Sequence, residues 1–137
     1  MRTTVRGGAV EMVVAADAEM LPVLRSMVEM ALLTADFTLP EVIDVRVAVD
    51  EVATALLVSA AADADVTCAL RYDEFRVEVR MSALTRTRGV LWGDGLSRVL
   101  LESLTDELEF GEDGRVGDRR GHGTVVRFGR NRIRHGG

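Results

Sequence analysis

The chain has 137 residues, a length that fits one domain; 47% of them are hydrophobic and 28% are charged. This balance is typical of a globular protein with room for a sizeable core and argues against a disordered chain. The net charge of -5 argues against a general nucleic-acid binder. No apolar run reaches the ~20 residues of a membrane span, and no secretory signal is visible at the N-terminus.

Missing residue types exclude several classes of enzyme. All 17 cationic residues are arginine, and the absence of lysine excludes a P-loop, a Schiff-base enzyme and a eukaryotic-type protein kinase. His122, His135 and Cys68 are the only histidine and cysteine residues, so a zinc site with the usual ligand sets is not expected. A single cysteine cannot form an internal disulfide, which fits a reducing compartment such as the cytoplasm.

The first half of the chain predicts one strand and two helices. Residues 9–15 alternate and predict a strand, which follows a short N-terminal arm of residues 1–8. Asp17 is a suitable N-cap for a helix that continues to about residue 35. Thr38 is a suitable N-cap for a second helix that continues to about residue 60.

A hairpin and a third helix follow. Residues 66–72 and 75–81 alternate at period two, which predicts two paired strands. Residues 82–91 are irregular and carry a basic stretch. Asp94 or Gly95 begins a helix that ends near residue 104.

The chain closes with two further strands. Residues 108–110 and 124–128 predict these strands, and residues 131–137 predict a flexible basic tail. The predicted elements follow the order strand, two helices, two strands, helix, two strands. This order favours an α+β fold. We therefore expect a single domain over residues 9–130, built as a two-layer sandwich with helices on one face of a mostly antiparallel, mixed sheet.

Three motifs carry a resemblance to a known family. Asp50-Glu51 is followed by Thr54-Ala55, a Gly-x-Gly-Leu sequence occurs at residues 93–96, and a Gly-x-Gly-Thr sequence occurs at residues 121–124. In this order and spacing they resemble the N-box helix, the glycine box and the closing strand of the anti-sigma-factor serine kinases. These kinases belong to the GHKL superfamily, so the resemblance implies a GHKL (Bergerat) sandwich.

The resemblance implies roles for residues on the helix and the hairpin. Glu51 occupies the position of the family's general base, which acts on a serine hydroxyl or a water molecule. Ala55 stands where the family has the asparagine that holds Mg²⁺, and it has no side-chain oxygen. Ser82 stands where an aspartate accepts a hydrogen bond from the adenine amino group. Met81 is an alternative for that position.

The remaining motif residues imply a phosphate site and a partner contact. Gly93, Gly95 and Leu96 match the glycine box, where backbone N–H groups and a helix N-terminus can meet phosphate. Gly123 and Thr124 match the closing strand, whose threonine helps to hold adenine in the family. Arg25 matches an arginine that contacts the sigma factor and its antagonist, and arginine is a common interface anchor.

Each of these residues also has a plain structural interpretation. Glu51 and Arg25 can be exposed helix residues, since charged side chains usually are. Gly93 and Gly95 can form a turn and a helix cap. The segment 121–123 can be a hairpin turn, which is the favoured interpretation of that motif alone.

The resemblance implies an anti-sigma factor that sequesters an alternative sigma factor. We expect a cytoplasmic homodimer, regulated by a STAS-domain anti-anti-sigma protein, that contacts neither nucleic acid nor membrane directly. ATP, bound weakly, and Mg²⁺ are the only cofactors to consider, because the nucleotide site is degenerate. One alternative is an active kinase that phosphorylates the antagonist, which Glu51 favours while Ala55 and Ser82 oppose it. Another is an interaction module without a sigma partner, since a fold does not fix a function.

Overall fold

The computed structural model describes residues 1–6, 8–88, 95–112 and 121–133. These residues form six strands, three α-helices and one short 3-10 helix, Ala18–Met20, which leads directly into the first α-helix. In chain order the strands and α-helices are β1 (Arg2–Arg6), β2 (Ala9–Ala15), α1 (Leu21–Thr34), α2 (Leu39–Ser59), β3 (Asp65–Tyr72), β4 (Arg76–Thr85), α3 (Leu96–Leu104), β5 (Glu107–Glu112) and β6 (His122–Asn131).

The six strands form one sheet in the order β1-β2-β3-β4-β6-β5. All five pairings between these strands are antiparallel, so the mixed character expected from the sequence is not seen in the described sheet. The α+β class and the GHKL-like sandwich are confirmed. Residues 2–6, assigned above to an N-terminal arm, form an edge strand in register with β2, with Arg2 opposite Val13.

Thr38 caps α2 as the sequence predicts, whereas the turn that Asp17 caps is a 3-10 helix and α1 itself begins at Leu21. Asp17 accepts a hydrogen bond from the Glu19 N–H and caps the 3-10 turn before α1. Thr38 forms a complete capping box with Glu41 at the start of α2, which satisfies two backbone donors that a helix leaves open.

All three helices lie on one face of the sheet, and the core fills the space between the layers. On β4, the side chains of Val77, Val79 and Met81 alternate inward and are buried, as period-two geometry requires. Burial raises the pKa of the Cys68 thiol to about 12, so this residue is an inert core side chain. No helix among the described residues is long and apolar enough to cross a bilayer.

The C-terminal end of the described chain is bonded to the helix layer. Asn131 is the last residue of β6, although the sequence places residues 131–137 in a tail. The Arg132 guanidinium lies 3.9 Å from the ring centre of Phe37 and donates to the Asp36 carbonyl oxygen at 2.7 Å. The Ile133 N–H donates to Glu41 Oε2 at 2.5 Å. Residues 134–137 lie outside the described residues.

Candidate functional site

The end of α2 and the end of β4 form a junction, and the closing-strand motif at the start of β6 lies beside it. Ala60 forms an isolated antiparallel bridge with Thr85, and the Ala61 N–H donates to the Leu84 carbonyl at 2.9 Å. The Arg86 N–H donates to the Ser59 carbonyl at 2.8 Å. This junction keeps β4 extended through Thr85, whereas the sequence predicts an irregular segment from residue 82.

Thr124 is paired with a threonine that the sequence analysis does not single out. The hydroxyl oxygens of Thr85 and Thr124 lie 2.6 Å apart, and both side chains are buried. Because Thr85 Oγ1 donates to the Thr87 carbonyl at 2.8 Å, the Thr124 hydroxyl is the donor within the pair. If the alternation of Val79 and Met81 is continued along the strand, it predicts that Thr85 also faces inward.

Gly121 is required by the close approach of two backbones. A Cβ on this residue would collide with the Thr85 carbonyl oxygen and lie 3.1 Å from Leu84 Cγ. Gly123 lies opposite Leu84 in the register of β4 and β6 and is buried. The glycines of this motif thus bring the start of β6 against the end of β4.

Glu51 and Ala55 lie on α2 before the junction and are both partly exposed. At a rise of 1.5 Å per residue, Ala55 lies about 7.5 Å and Glu51 about 13.5 Å before Ala60 along the helix axis. Among the described residues, Glu51 has no hydrogen-bond or ion-pair partner. The methyl group of Ala55 offers no ligand to a metal ion.

Ser82 lies on the opposite face of the sheet from Thr124. Its register partner is Val125, while Ala83 is the register partner of Thr124, and neighbouring residues of a strand point to opposite faces. Ser82 accepts a hydrogen bond from Arg80 Nη1 at 3.4 Å on that outer face. The structure therefore does not bring Ser82 together with Thr124, and Met81 is the inward-facing alternative.

The described positions that the resemblance assigns to adenine and Mg²⁺ differ from the family pattern. The inward positions Met81 and Ala83 are apolar and have no carboxylate for an adenine amino group. Ala55 has no oxygen for the metal, and the described residues contain no group of three His, Cys, Asp or Glu side chains that could hold one. Two cavities of about 600 Å³ are lined by described residues, and neither includes Glu51 or Thr124.

The glycine box is described only from its second glycine. Gly93 lies outside the described residues. Gly95 is the N-cap of α3, and a Cβ at this position would meet nothing within 4 Å, so its surroundings do not demand glycine. Leu96 follows with 85% of its surface exposed.

Arg25 lies on the outer surface where α1 packs against α2. Its Nε donates to both carboxylate oxygens of Asp50, at 3.3 and 3.1 Å, and its Nη2 lies 3.1 Å from Asp50 Oδ2. A second ion pair, Arg46 with Glu29 at 2.9 Å, joins the same two helices nearby. The side chain of Arg25 is still 41% exposed, so it is accessible to a partner.

Similarity to known proteins extends over most of the chain. Two proteins, each named Anti-sigma-F factor RsbW, from the CDC 1551 / Oshkosh and ATCC 25618 / H37Rv strains of Mycobacterium tuberculosis, are each 36% identical to it over 110 residues. This match covers 80% of the chain. The chain is a divergent member of the RsbW-like anti-sigma factor family. The assignment made from the three motifs is thereby confirmed, whereas the roles of the individual residues stay predictions.

The match does not extend over the whole of these relatives. The chain spans 66% of their length, just under two thirds. No protein-family model matches the chain.

Proposed function

We propose that the chain is an anti-sigma factor that binds and sequesters an alternative sigma factor in the cytoplasm. The 36% identity to proteins named Anti-sigma-F factor RsbW is the observation that carries this proposal. The protein acts as a homodimer, and a STAS-domain anti-anti-sigma protein competes for it.

Arg25 is the proposed anchor for the partner. Its guanidinium is partly exposed and is fixed to a rigid pair of helices by Asp50. An ordered arginine binds an acidic side chain with little further loss of side-chain entropy. Binding by this surface does not depend on nucleotide, which agrees with the apolar residues at the adenine and metal positions.

The test is direct binding to purified sigma factors of the source organism. Wild-type protein is expected to bind one alternative sigma factor with a Kd at or below about 1 μM, which corresponds to about -8.2 kcal/mol. Arg25→Ala is expected to weaken binding by about tenfold, an effect of about 1.4 kcal/mol. Arg71→Ala is the control, because Arg71 is an exposed arginine on the opposite face of the sheet.

Two outcomes would contradict this proposal. If folded wild-type protein binds none of the sigma factors, the anti-sigma function is wrong, and identification of its partners by mass spectrometry would then test the interaction-module alternative. If Arg25→Ala and Arg71→Ala bind the sigma factor equally well, the anchor lies elsewhere.

Calorimetric titration with ATP separates the proposed function from the kinase alternative. Wild-type protein is expected to show no Mg²⁺-dependent heat at millimolar ATP. Ala55→Asn supplies the missing metal ligand but is not expected to restore binding, because Met81 and Ala83 still offer no acceptor to adenine. Thr54→Asn, an exposed neighbour on α2, is the matched control.

Mg²⁺-dependent binding by the wild-type protein would favour the kinase alternative. Glu51, whose carboxylate has no partner among the residues that the structure describes, is the feature that keeps this alternative open. In that case Glu51→Ala should abolish phosphate transfer to a serine of the antagonist while leaving sigma-factor binding unchanged.

A further inference from the structure

The ion pair between Arg25 and Asp50 has a specific orientation. The Asp50 carboxylate accepts from Nε and lies against Nη2, so it occupies one edge of the planar guanidinium. The other edge, which includes Nη1, has no bond to any residue that the structure describes. A guanidinium has donors on both edges, so the second edge can bind another carboxylate.

Asp50 belongs to a rigid element. It lies in the middle of α2, the longest helix, between the buried residues Val49 and Val52. Arg25 lies in α1 and crosses the helix seam to reach it. The orientation of the guanidinium is therefore set by the packing of two helices.

We propose that Asp50 is a positioning residue for partner recognition, which holds Arg25 so that its free edge meets an acidic side chain of the sigma factor. This inference rests on the proposed function. A free arginine side chain loses rotamer freedom on binding, and an interface that orders such a side chain beforehand avoids this cost. Asp50 contributes through Arg25 and does not itself contact the partner.

The competing effect of Asp50 is electrostatic repulsion of the partner's acidic group. Its negative charge is already balanced by Arg25 across the hydrogen-bonded edge. Both groups are partly exposed, so water and salt weaken the remaining repulsion. Positioning is therefore the larger effect, and removing Asp50 should weaken binding.

A double-mutant cycle tests this role with the sigma factor that binds the wild-type protein. Asp50→Ala is expected to weaken binding about fivefold when Arg25 is present, a loss in the range of ordering one long side chain. It is expected to cause no further loss in the Arg25→Ala background, because its effect passes through Arg25. Asp50→Asn keeps an oxygen acceptor for Nε and should lie between Asp50→Ala and the wild type.

Glu29→Ala is the matched control. It removes the neighbouring ion pair with Arg46, which joins the same helices with a similar exposure. This variant is expected to bind the sigma factor within twofold of the wild type. Thermal unfolding of every variant shows whether the fold is retained, and exposed ion pairs of this kind contribute little to stability.

The possible results are distinct. Unchanged or tighter binding by Asp50→Ala would overturn the positioning role and show that Asp50 competes with the partner. An equal loss with and without Arg25 would show that Asp50 acts by another route. Failure of the wild-type protein to bind any sigma factor would instead overturn the proposed function, and this inference with it.

Discussion

Replacing Glu41 with alanine is expected to lower the free energy of unfolding by about 3 kcal/mol, which corresponds to a fall in Tm of roughly 10 °C. The side chain is only 1% exposed. Its Oε1 accepts from the Thr38 N–H at 2.7 Å and from the Thr38 hydroxyl at 2.8 Å, while Oε2 accepts from the Ile133 N–H. Alanine would leave these donors without an acceptor.

The magnitude follows from two separate losses. Loss of a helix cap costs about 0.5–2 kcal/mol. Loss of a hydrogen bond to a charged group costs about 1.5–3 kcal/mol. Thermal and denaturant unfolding measure the sum. A change below about 1 kcal/mol would show that the bond between Glu41 and residue 133 contributes little in solution.

Because the Glu41 carboxylate can be protonated, we expect the free energy of unfolding to depend on pH. Burial raises the pKa of Glu41, but hydrogen bonds from Thr38 and Ile133 and the charge of Arg132 together hold it below its ordinary value. The folded protein thus binds this proton less tightly than the unfolded chain. The stabilisation is present above the ordinary carboxyl pKa of about 4.3 and is lost as the pH falls through the lower folded value.

Glu41→Gln provides the test of this dependence. The variant has no ionisable group at residue 41, so its unfolding free energy should change less than that of the wild type as the pH is lowered below about 4.3. Parallel curves for the two proteins would show that other carboxylates dominate acid unfolding.

Gly121→Ala is expected to destabilise the protein by about 2 kcal/mol. The new methyl group would collide with the backbone carbonyl oxygen of Thr85 and press on the Leu84 side chain. Backbone atoms of two paired strands cannot move aside as a flexible side chain can. We therefore expect β6 to shift away from β4 and the hydrogen bond between Thr85 and Thr124 to lengthen.

Gly111→Ala is the matched control for this prediction. It makes the same change in strand β5, where a Cβ would meet nothing within 4 Å. Because alanine loses less backbone entropy than glycine on folding, this variant should be as stable as the wild type or slightly more stable. Similar unfolding midpoints for the two variants would contradict the close approach at Gly121.

Elements with strong local signals were predictable from the sequence. Thr38 and Glu41 mark the start of α2 because capping is a local interaction, and the structure shows the complete capping box. Strand β1 was not predictable in this way. Its residues are mostly polar, and the strand exists because β2 provides a pairing partner.

The candidate site was less predictable because it depends on which face of a strand each residue occupies. Assigning the adenine position to Ser82 or to Met81 is a one-residue difference, and such a step moves a side chain to the opposite face of the sheet. Thr85 was missed because the strand was predicted to end at residue 81, whereas β4 continues to Thr85. That end is fixed by the bridge to Ala60 and by the pairing with β6, which are contacts between distant parts of the chain.

The bond between Glu41 and Ile133 joins residues separated by 92 positions. During synthesis Glu41 leaves the ribosome well before Ile133, which follows β6. Until residues 132 and 133 emerge, Phe37 lacks the arginine that covers it and Glu41 lacks one of its donors. A chain cut before residue 132 is therefore expected to be less stable than one that contains residues 132 and 133, and more easily degraded by proteases that attack unfolded chains.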